Sequence, residues 1–515
     1  MIRSFLTVST GTLTSRLLGF LRDSMIAALL GAGAVADAFL VAFQLVNVVR
    51  RLLAEGALNN ALVPTWLAVK EGKGPDAASA FAGRVLGTIT VALIVAAGVA
   101  GLLMPFIVTA LAPGFAGDDT LRLATSDARL MLPYLAFAGP ATVTMALLNA
   151  QGRFALTAFA PLLFNGALIT VMIVLIVKQS DAPQAAFAIA ATVGVAGFLQ
   201  LAILVMRSRN NHFAKPLRVT FDSEMRDFLA RAIPGMVAGA GPQLLIVAAA
   251  IVASISPSAV SWLYFANRLI ELPLGIVGVA VGAVLVPELA RAVHSDDRNT
   301  LTHAQSRGLE LAVGLALPAT LGLITLSAPI VRLLFEHGAF AATDTEATAQ
   351  ALAWLALGLP AQVLTKALSP AFFARGDTWT PLGATLKGLV ITIALAVVLG
   401  RLFDIRGIAA AVALGGWSSA VSLIRHGGAS FGFSIDAAAR RRLPRIVAAA
   451  LAMGALLWLA APLVPASVGS TSGLLYLLLV AALIAGGIAA YGLFLTLLGA
   501  VNWREAVNAF RESQV

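Results

Sequence analysis

Four arginines stand where an arginine is costly. Arg16, Arg22, Arg50 and Arg268 each lie inside a long apolar run. A guanidinium at the bilayer centre costs at least about 2.5–3.5 kcal/mol on insertion scales, so such residues are functional or paired. The planar guanidinium fork matches phosphate oxygens two at a time, which points to an anionic, phosphate-like ligand. Acidic neighbours are fewer: Asp23 adjoins Arg22, Glu55 follows Arg51 by four residues, and Glu271 follows Arg268 by three. The bland alternative is a set of internal salt bridges, and for Arg51–Glu55 it serves at least as well. For Arg16, Arg22 and Arg268 the surplus of positive charge favours a ligand. Lys366 and Lys387 are further cations within apolar runs. Lys387 faces either lipid or a cavity, acting as a fixed coupling cation or snorkelling toward an interface. Asp37 opens an apolar run, where capping of its own helix is the default and gating the alternative.

The elements that must position these side chains are membrane helices. The chain has 515 residues, 59% hydrophobic and 12% charged, with a mean hydropathy of +0.91. A soluble protein is nearer one quarter charged. Apolar stretches long enough to cross the hydrocarbon recur from end to end, without the ten-residue alternation of a β-barrel. The predicted spans are 5–30, 37–66, 80–111, 127–150, 158–178, 185–206, 228–255, 261–290, 309–330, 347–371, 380–402, 405–425, 442–464 and 474–500. The fold class is an all-α polytopic membrane protein of about 14 helices. With a cytoplasmic N-terminus, 22 Lys and Arg fall on the inner side, 6 on the outer and 7 within spans. That asymmetry predicts cytoplasmic termini, and it assigns the basic clusters to orientation rather than to lipid or nucleic-acid recognition.

The chain also repeats. Leu62-Val63-Pro64 returns as Leu285-Val286-Pro287, the run from Pro105 as that from Pro329, and Arg153 with Pro161 as Arg375 with Pro381, at offsets of 223, 224, 222 and 220. An even number of helices per copy makes the repeats parallel, and a substrate path in such proteins lies between the halves. The organisation read from the sequence is a six-helix lobe over 1–206, a cytoplasmic linker over 207–227, and a second six-helix lobe over 228–425. Two additional helices over 442–500 and a cytoplasmic tail over 501–515 follow. Helical rise places Arg22 roughly 13 Å below Gly31 and Arg268 roughly 14 Å below Ala259, with Arg16 and Arg50 at roughly 20–22 Å. Matching depth in opposite halves suits a cationic cavity. Pro140, Pro234, Pro242, Pro273 and Pro360 fall inside spans, where they loosen helices.

Other chemistries are excluded by what is missing. There are no cysteines, hence no disulfides or thiolate sites. No cleavable signal stands at the front. No Lys precedes Ser or Thr, so there is no Walker A loop, and no HExxH occurs. The five histidines are dispersed and carboxylates are not clustered, so no metal, cofactor or enzyme active site is expected. The energy source is then a gradient or the membrane potential.

The segments SRLLGFLRD (15–23), ADAF (36–39), NVVRRLLAEGALNNALVP (47–64), APGF (112–115), NAQGRF (149–154), NRLIELPLGIVGVAVG (267–282) and KALSPAFFARGDTWTP (366–381) resemble the MurJ/MviN family. These are lipid II flippases of the multidrug/oligosaccharidyl-lipid/polysaccharide exporter superfamily, in the bacterial cytoplasmic (inner) membrane. The resemblance implies two six-helix lobes, with two further helices forming a groove for a lipid tail. It implies essential arginines at Arg16, Arg22, Arg50 and Arg268, with Asp37 and Glu271 among the acidic positions. Asn267 is a departure, since many relatives carry Asp before the arginine.

The implied substrate is undecaprenyl diphosphate bearing a disaccharide-pentapeptide, with membrane lipids and cell-wall synthesis enzymes as further partners. Arg16, Arg22 and Arg268 would hold the diphosphate while the lobes alternate access. An inside-negative potential favours outward anion movement by about 2.3 kcal/mol per charge per 100 mV. Three alternatives stand beside this: a flippase for another polyprenyl-linked glycan, a drug/cation antiporter, and a non-transporting scaffold for cell-wall synthesis.

Overall fold

A computed structural model describes residues 2–54, 57–208, 217–280, 298–373, 375–431, 436–464 and 473–500. Among them every regular element is helical. In chain order these are α1 (Ile2–Leu30), α2 (Ala34–Ala54), α3 (Ala57–Lys73), α4 (Pro75–Leu111), α5 (Asp119–Met131), α6 (Pro133–Ala150), α7 (Phe154–Val177), α8 (Ala182–Ser208), α9 (Ser223–Gly239) and α10 (Gly241–Ala253). There follow α11 (Ala259–Ala280), α12 (Arg298–Thr325), α13 (Ser327–Phe335), α14 (Ala342–Ala356), α15 (Leu359–Phe373), α16 (Trp379–Phe431), α17 (Ala437–Ala460) and α18 (Gly473–Leu497).

Local chemistry sets many of the boundaries. Asp222 caps α9 by accepting from Met225 N at 2.9 Å, and Asp436 caps α17 by accepting from Ala439 N at 2.7 Å. Pro75 occupies the first turn of α4, where its missing N–H costs nothing. The 53 residues of α16 would run about 80 Å if straight, far beyond one bilayer crossing. Phe403 and Asp404 leave helical geometry, Asp404 at φ +49°, so the element is two crossings joined at a tight break. This is the boundary that the sequence places between 402 and 405.

Eight helices among the described residues are long and apolar enough to cross a membrane, and up to ten if each of two bent pairs is one span. Helices α1, α2 and α11 are outside that count, and they are the ones that carry Arg16, Arg22, Asp23, Asp37, Arg50, Arg51, Arg268 and Glu271. The charges that attract interest are also what lower the hydropathy. Large apolar side chains on the outer faces of α4, α16 and α18, such as Leu102, Phe106, Val390 and Ile488, are widely exposed, as a lipid-facing surface requires.

The chain divides into two compact units: residues 1–264 with 337–341, and residues 265–336 with 342–515. In the first, Leu62, Trp66, Phe81, Val85, Leu147, Met225 and Phe228 make a core shared by α3, α4, α6 and α9. The unit therefore includes α9 and α10, which the repeat assigns to the second lobe. In the second unit, Leu368, Phe372, Ala384 and Leu423 join α15 to α16. Leu326, at the junction of α12 and α13, packs with Met453 and Leu457 of α17, and Tyr491 on α18 donates to the Gly314 carbonyl of α12 at 2.7 Å.

Within the first unit, pieces of the two repeats meet reciprocally. Gly114 N donates to Ser254 Oγ at 3.1 Å, while Ala339 N donates to the Ala28 carbonyl at 2.8 Å. Gly114 and Gly338 are 224 residues apart, the offset of the duplication. Each backbone packs so closely on its partner that an added Cβ would overlap a carbonyl oxygen, Ser254 for Gly114 and Ala28 for Gly338. Gly338 is also at φ +59°, a conformation open chiefly to glycine.

Candidate functional site

Arg22 is the best-enclosed of the intramembrane arginines, at 6% exposure. Neighbouring helical residues diverge, yet the long arginine folds back, and its Nε and Nη2 both donate to Asp23 Oδ1 at 2.9 and 2.7 Å. Its Nη1 donates to Asn165 Oδ1 of α7 at 3.0 Å, and Asn165 Nδ2 in turn donates to the Ser15 carbonyl at 3.2 Å. Phe43 of α2 and Phe164 of α7 lie against the guanidinium, with ring centroids 5.1 and 5.9 Å away. Cation–π contact offsets part of the lost hydration. Tyr264 completes the surround, its hydroxyl donating to Asp23 Oδ1 at 3.4 Å. In this conformation Arg22 is therefore held within the protein, paired and hydrogen-bonded, as a buried charge must be.

Arg268 belongs to the second unit. Its Nη1 donates to Glu271 Oε2 at 2.7 Å, and Asn267 Nδ2 donates to the other oxygen, Oε1, at 3.2 Å. One helical turn of α11 thus satisfies both carboxylate oxygens from two donors. The amide at 267 has a positive role: an Asp there would set a second carboxylate beside Glu271.

Asp37 corrects the default reading of its position. The carboxylate does not cap its own helix: Oδ1 accepts from Ser261 N at 2.9 Å and from Ser261 Oγ. Ser261 is the third residue of α11, so Asp37 serves as the N-terminal cap of a helix 224 residues away. A carboxylate there satisfies an orphan N–H and complements the helix dipole. Both residues are buried.

At the other end of α4 lies a surface ion cluster. Arg84 Nη1 donates to Asp222 Oδ2 at 2.9 Å and Nη2 to Glu224 Oε2 at 2.7 Å, while Lys73 Nζ donates to Glu224 Oε1 at 2.8 Å. These pairs tie α3 and α4 to the start of α9.

Arg16 and Arg51 are half-buried, and Arg50 donates through Nε to Asn47 Oδ1 at 3.2 Å. Glu55 lies outside the described residues, and with it the Arg51–Glu55 pair. Lys366 is half-buried in α15, and Lys387 is exposed on α16 beside Leu386, Val390 and Ile393. Among the described residues no three acidic or histidine side chains gather as a metal site. Sequence reasoning missed Asn165, Ser261 and Tyr264. A lone Asn in the apolar run of α7 was a readable signal; nothing local marked the others.

A helical, lipid-exposed chain with an internal duplication and buried arginines has the architecture of a polytopic membrane protein. Its fold agrees with an inward-facing multidrug resistance MATE family transporter, at a TM-score of 0.67 and 15% identity over 86% of this chain and 98% of that one. It agrees further with the lipid II flippase MurJ in an inward closed conformation, at a TM-score of 0.76 and 22% identity over 98% and 100% of the two chains. Residues 26–479 match the family model described as "Lipid II flippase MurJ". A probable lipid II flippase MurJ of Rhizobium meliloti (strain 1021) is 39% identical over 496 residues, 94% of this chain and 92% of that protein. The chain belongs to the MurJ family, a family of multi-pass membrane transporters and not of enzymes.

Proposed function

We propose that this protein flips lipid II, undecaprenyl diphosphate bearing a disaccharide-pentapeptide, from the inner to the outer leaflet of the cytoplasmic membrane. Membership of the MurJ family carries this reading, and the buried arginines give it chemistry. A diphosphate crossing hydrocarbon needs cationic partners, whereas the polyprenyl tail stays in lipid. Arg16, Arg22, Arg50 and Arg268 are the substrate-binding residues in this proposal. Arg22 becomes available when the diphosphate replaces Asp23 and Asn165 as its acceptor, and Arg268 when it is released from Glu271.

Transport proceeds by alternating access between the six-helix lobes at 1–206 and 228–425, with both termini cytoplasmic. Two sets of contacts in the first unit support this. The Asp37–Ser261 cap and the Ala28–Ala339 contact tie repeat to repeat at one end, and the Lys73, Arg84, Asp222 and Glu224 cluster does so at the other. Opening toward either side requires one set to part. The membrane potential drives the cycle, carrying the anion outward and favouring return of the net-positive empty site.

Complementation of a strain depleted of its own lipid II flippase tests the substrate and the site together. The wild-type chain restores growth and outward accessibility of lipid II, while Arg22→Ala and Arg268→Ala insert normally and fail. Failure of the wild type despite correct insertion would move the assignment to another polyprenyl-linked glycan. Equal rescue by wild type and both variants would remove the cationic site. Flipping unchanged after collapse of the potential would remove the driving force.

A further inference from the structure

The duplication has left two equivalent grooves of different chemistry. One, of about 520 Å³, lies between α4 and α5 and is lined by Pro105, Leu121, Arg122, Thr125, Ser126 and Arg129, among others. The other, also about 520 Å³, lies between α13 and α14 and includes Thr345, Glu346, Ala349, Gln350 and Ala353. Five lining positions correspond at an offset of 224, from Leu121 with Thr345 to Arg129 with Ala353. The same helical hairpin has built the same depression twice, and only the first copy presents paired arginines along α5.

We propose that the α4–α5 groove binds the phosphate of an anionic membrane phospholipid in the outer leaflet. Arg122, Ser126 and Arg129 recur at spacings of four and three on the exposed face of α5. The two arginines are about 10 Å apart along the helix, close enough for both side chains to reach one phosphate. Arg129 is aimed by donating through Nε to the Gly101 carbonyl at 3.0 Å, which leaves its two terminal nitrogens to face a ligand. Arg122 makes a loose 3.4 Å pair with Asp119, and both groups are more than three-quarters exposed. Such a pair contributes little and yields readily to a phosphate.

Thr125 adds a polar group to the wall of the groove. Its side chain lines the groove at 8% exposure, and its Oγ1 has no hydrogen-bond partner. Thr345 of the equivalent groove is likewise buried with an unpartnered Oγ1, so the exposed arginines are what distinguish the two grooves. Beside the arginines, Leu102 and Phe106 of α4 are exposed at 79% and 74%, an apolar strip suited to acyl chains. The equivalent groove has been neutralised instead: Arg332 donates to Glu336 at 3.2 Å, and Gln350 accepts from Arg406 at 2.9 Å.

Native mass spectrometry of the full chain in detergent, titrated with phosphatidylglycerol or phosphatidylcholine, tests the proposal. The wild type retains one phosphatidylglycerol in preference to phosphatidylcholine. Arg122→Ala/Arg129→Ala weakens that retention by about tenfold or more, as expected for lost charge-assisted contacts. Thr125→Val, a change of similar size, weakens it by a smaller factor. Glu346→Ala/Gln350→Ala, in the equivalent groove, leaves it unchanged. Equal retention by wild type and the double arginine variant overturns the proposal. So does binding of inorganic phosphate as tight as that of the lipid, which would make the site one for free phosphate. The choice of leaflet rests on the orientation proposed above. Ser126→Cys, the sole cysteine of the chain, should react with an impermeant maleimide from outside only. Reaction from the cytoplasmic side alone would overturn the leaflet and leave the titration standing.

Discussion

Replacing Asp37 by alanine isolates the contact that holds α2 to the start of α11. Asp37 is 3% exposed and Ser261 fully buried, so water does not readily replace the lost carboxylate. The variant strands the Ser261 N–H, and a buried donor without an acceptor costs about 1–3 kcal/mol, in line with the loss of a helix cap. Taking about 2 kcal/mol, an equilibrium that forms this contact in one state only shifts about 30-fold away from that state. Ser261→Ala removes the hydroxyl bond and keeps the amide bond, so about 1 kcal/mol, or roughly fivefold, is expected. Because the two residues share one contact, the double variant should fall short of the sum. The chain has no cysteine, so Ala259→Cys, buried at the first turn of α11, can report on opening. Its reaction with an impermeant maleimide should accelerate about 30-fold in the Asp37→Ala background, if labelling follows the open population. Identical labelling rates with and without Asp37, together with an unchanged unfolding temperature, would refute the reasoning.

Further predictions follow from the same geometry. Gly338→Ala and Gly114→Ala should each destabilise the chain by about 2–3 kcal/mol through overpacking, with Gly338 adding the strain of its positive φ, read as a lowered unfolding temperature. Arg84→Glu should weaken the α4–α9 tie by no more than about 1 kcal/mol, since its partners are half-exposed. Adding Glu224→Arg should restore part of the loss, seen as recovered disulfide trapping between cysteines placed on α4 and α9. Lys387→Leu should leave flipping within about twofold of wild type while raising membrane insertion, because it exchanges an exposed charge for an apolar residue on an apolar face. The exchange Asp37→Ser/Ser261→Asp should recover the hydroxyl bond but not the amide bond. The N–H of residue 37 already donates to Gly33 O at 2.7 Å, so maleimide labelling of Ala259→Cys should settle between wild type and Asp37→Ala.

Much of the fold was legible because membrane helices obey a strong rule. Long apolar runs must be helical, and the break within α16 could be placed from the run lengths alone. Individual ion pairs were legible when local: Arg268 and Glu271 share a helical face, and Arg22 adjoins Asp23. Asp37 shows the limit. Its residue type correctly signals a cap, but capping preference is local evidence, and the helix it caps begins more than 200 residues later. Asn165 fills a bond that no spacing rule assigns to Arg22. The grouping of α9 and α10 with the first unit was equally hidden, since it rests on Met225 and Phe228 packing against Trp66 and Phe81. Repetition in the sequence reports ancestry, whereas packing reports the conformation adopted.

The duplication also explains why some equivalent positions had to diverge. Asp37 and Ser261 are 224 residues apart, the offset of the repeat, and they touch. Where a position meets its own counterpart, identical residues put like against like. Two aspartates would set buried carboxylates together, and two serines would lose the ionised acceptor that makes the contact strong. An acceptor on one copy and a donor on the other resolves this, so divergence there is a condition for closing the end of the molecule. Positions that do not meet their counterparts are under no such constraint. The two grooves, built alike by α4–α5 and α13–α14, could therefore part for reasons of their own. One kept exposed arginines, while the other engaged Arg332 with a protein acceptor. The asymmetry of a transporter built from two equal halves thus has two sources: complementarity where counterparts touch, and independent ligands where they do not.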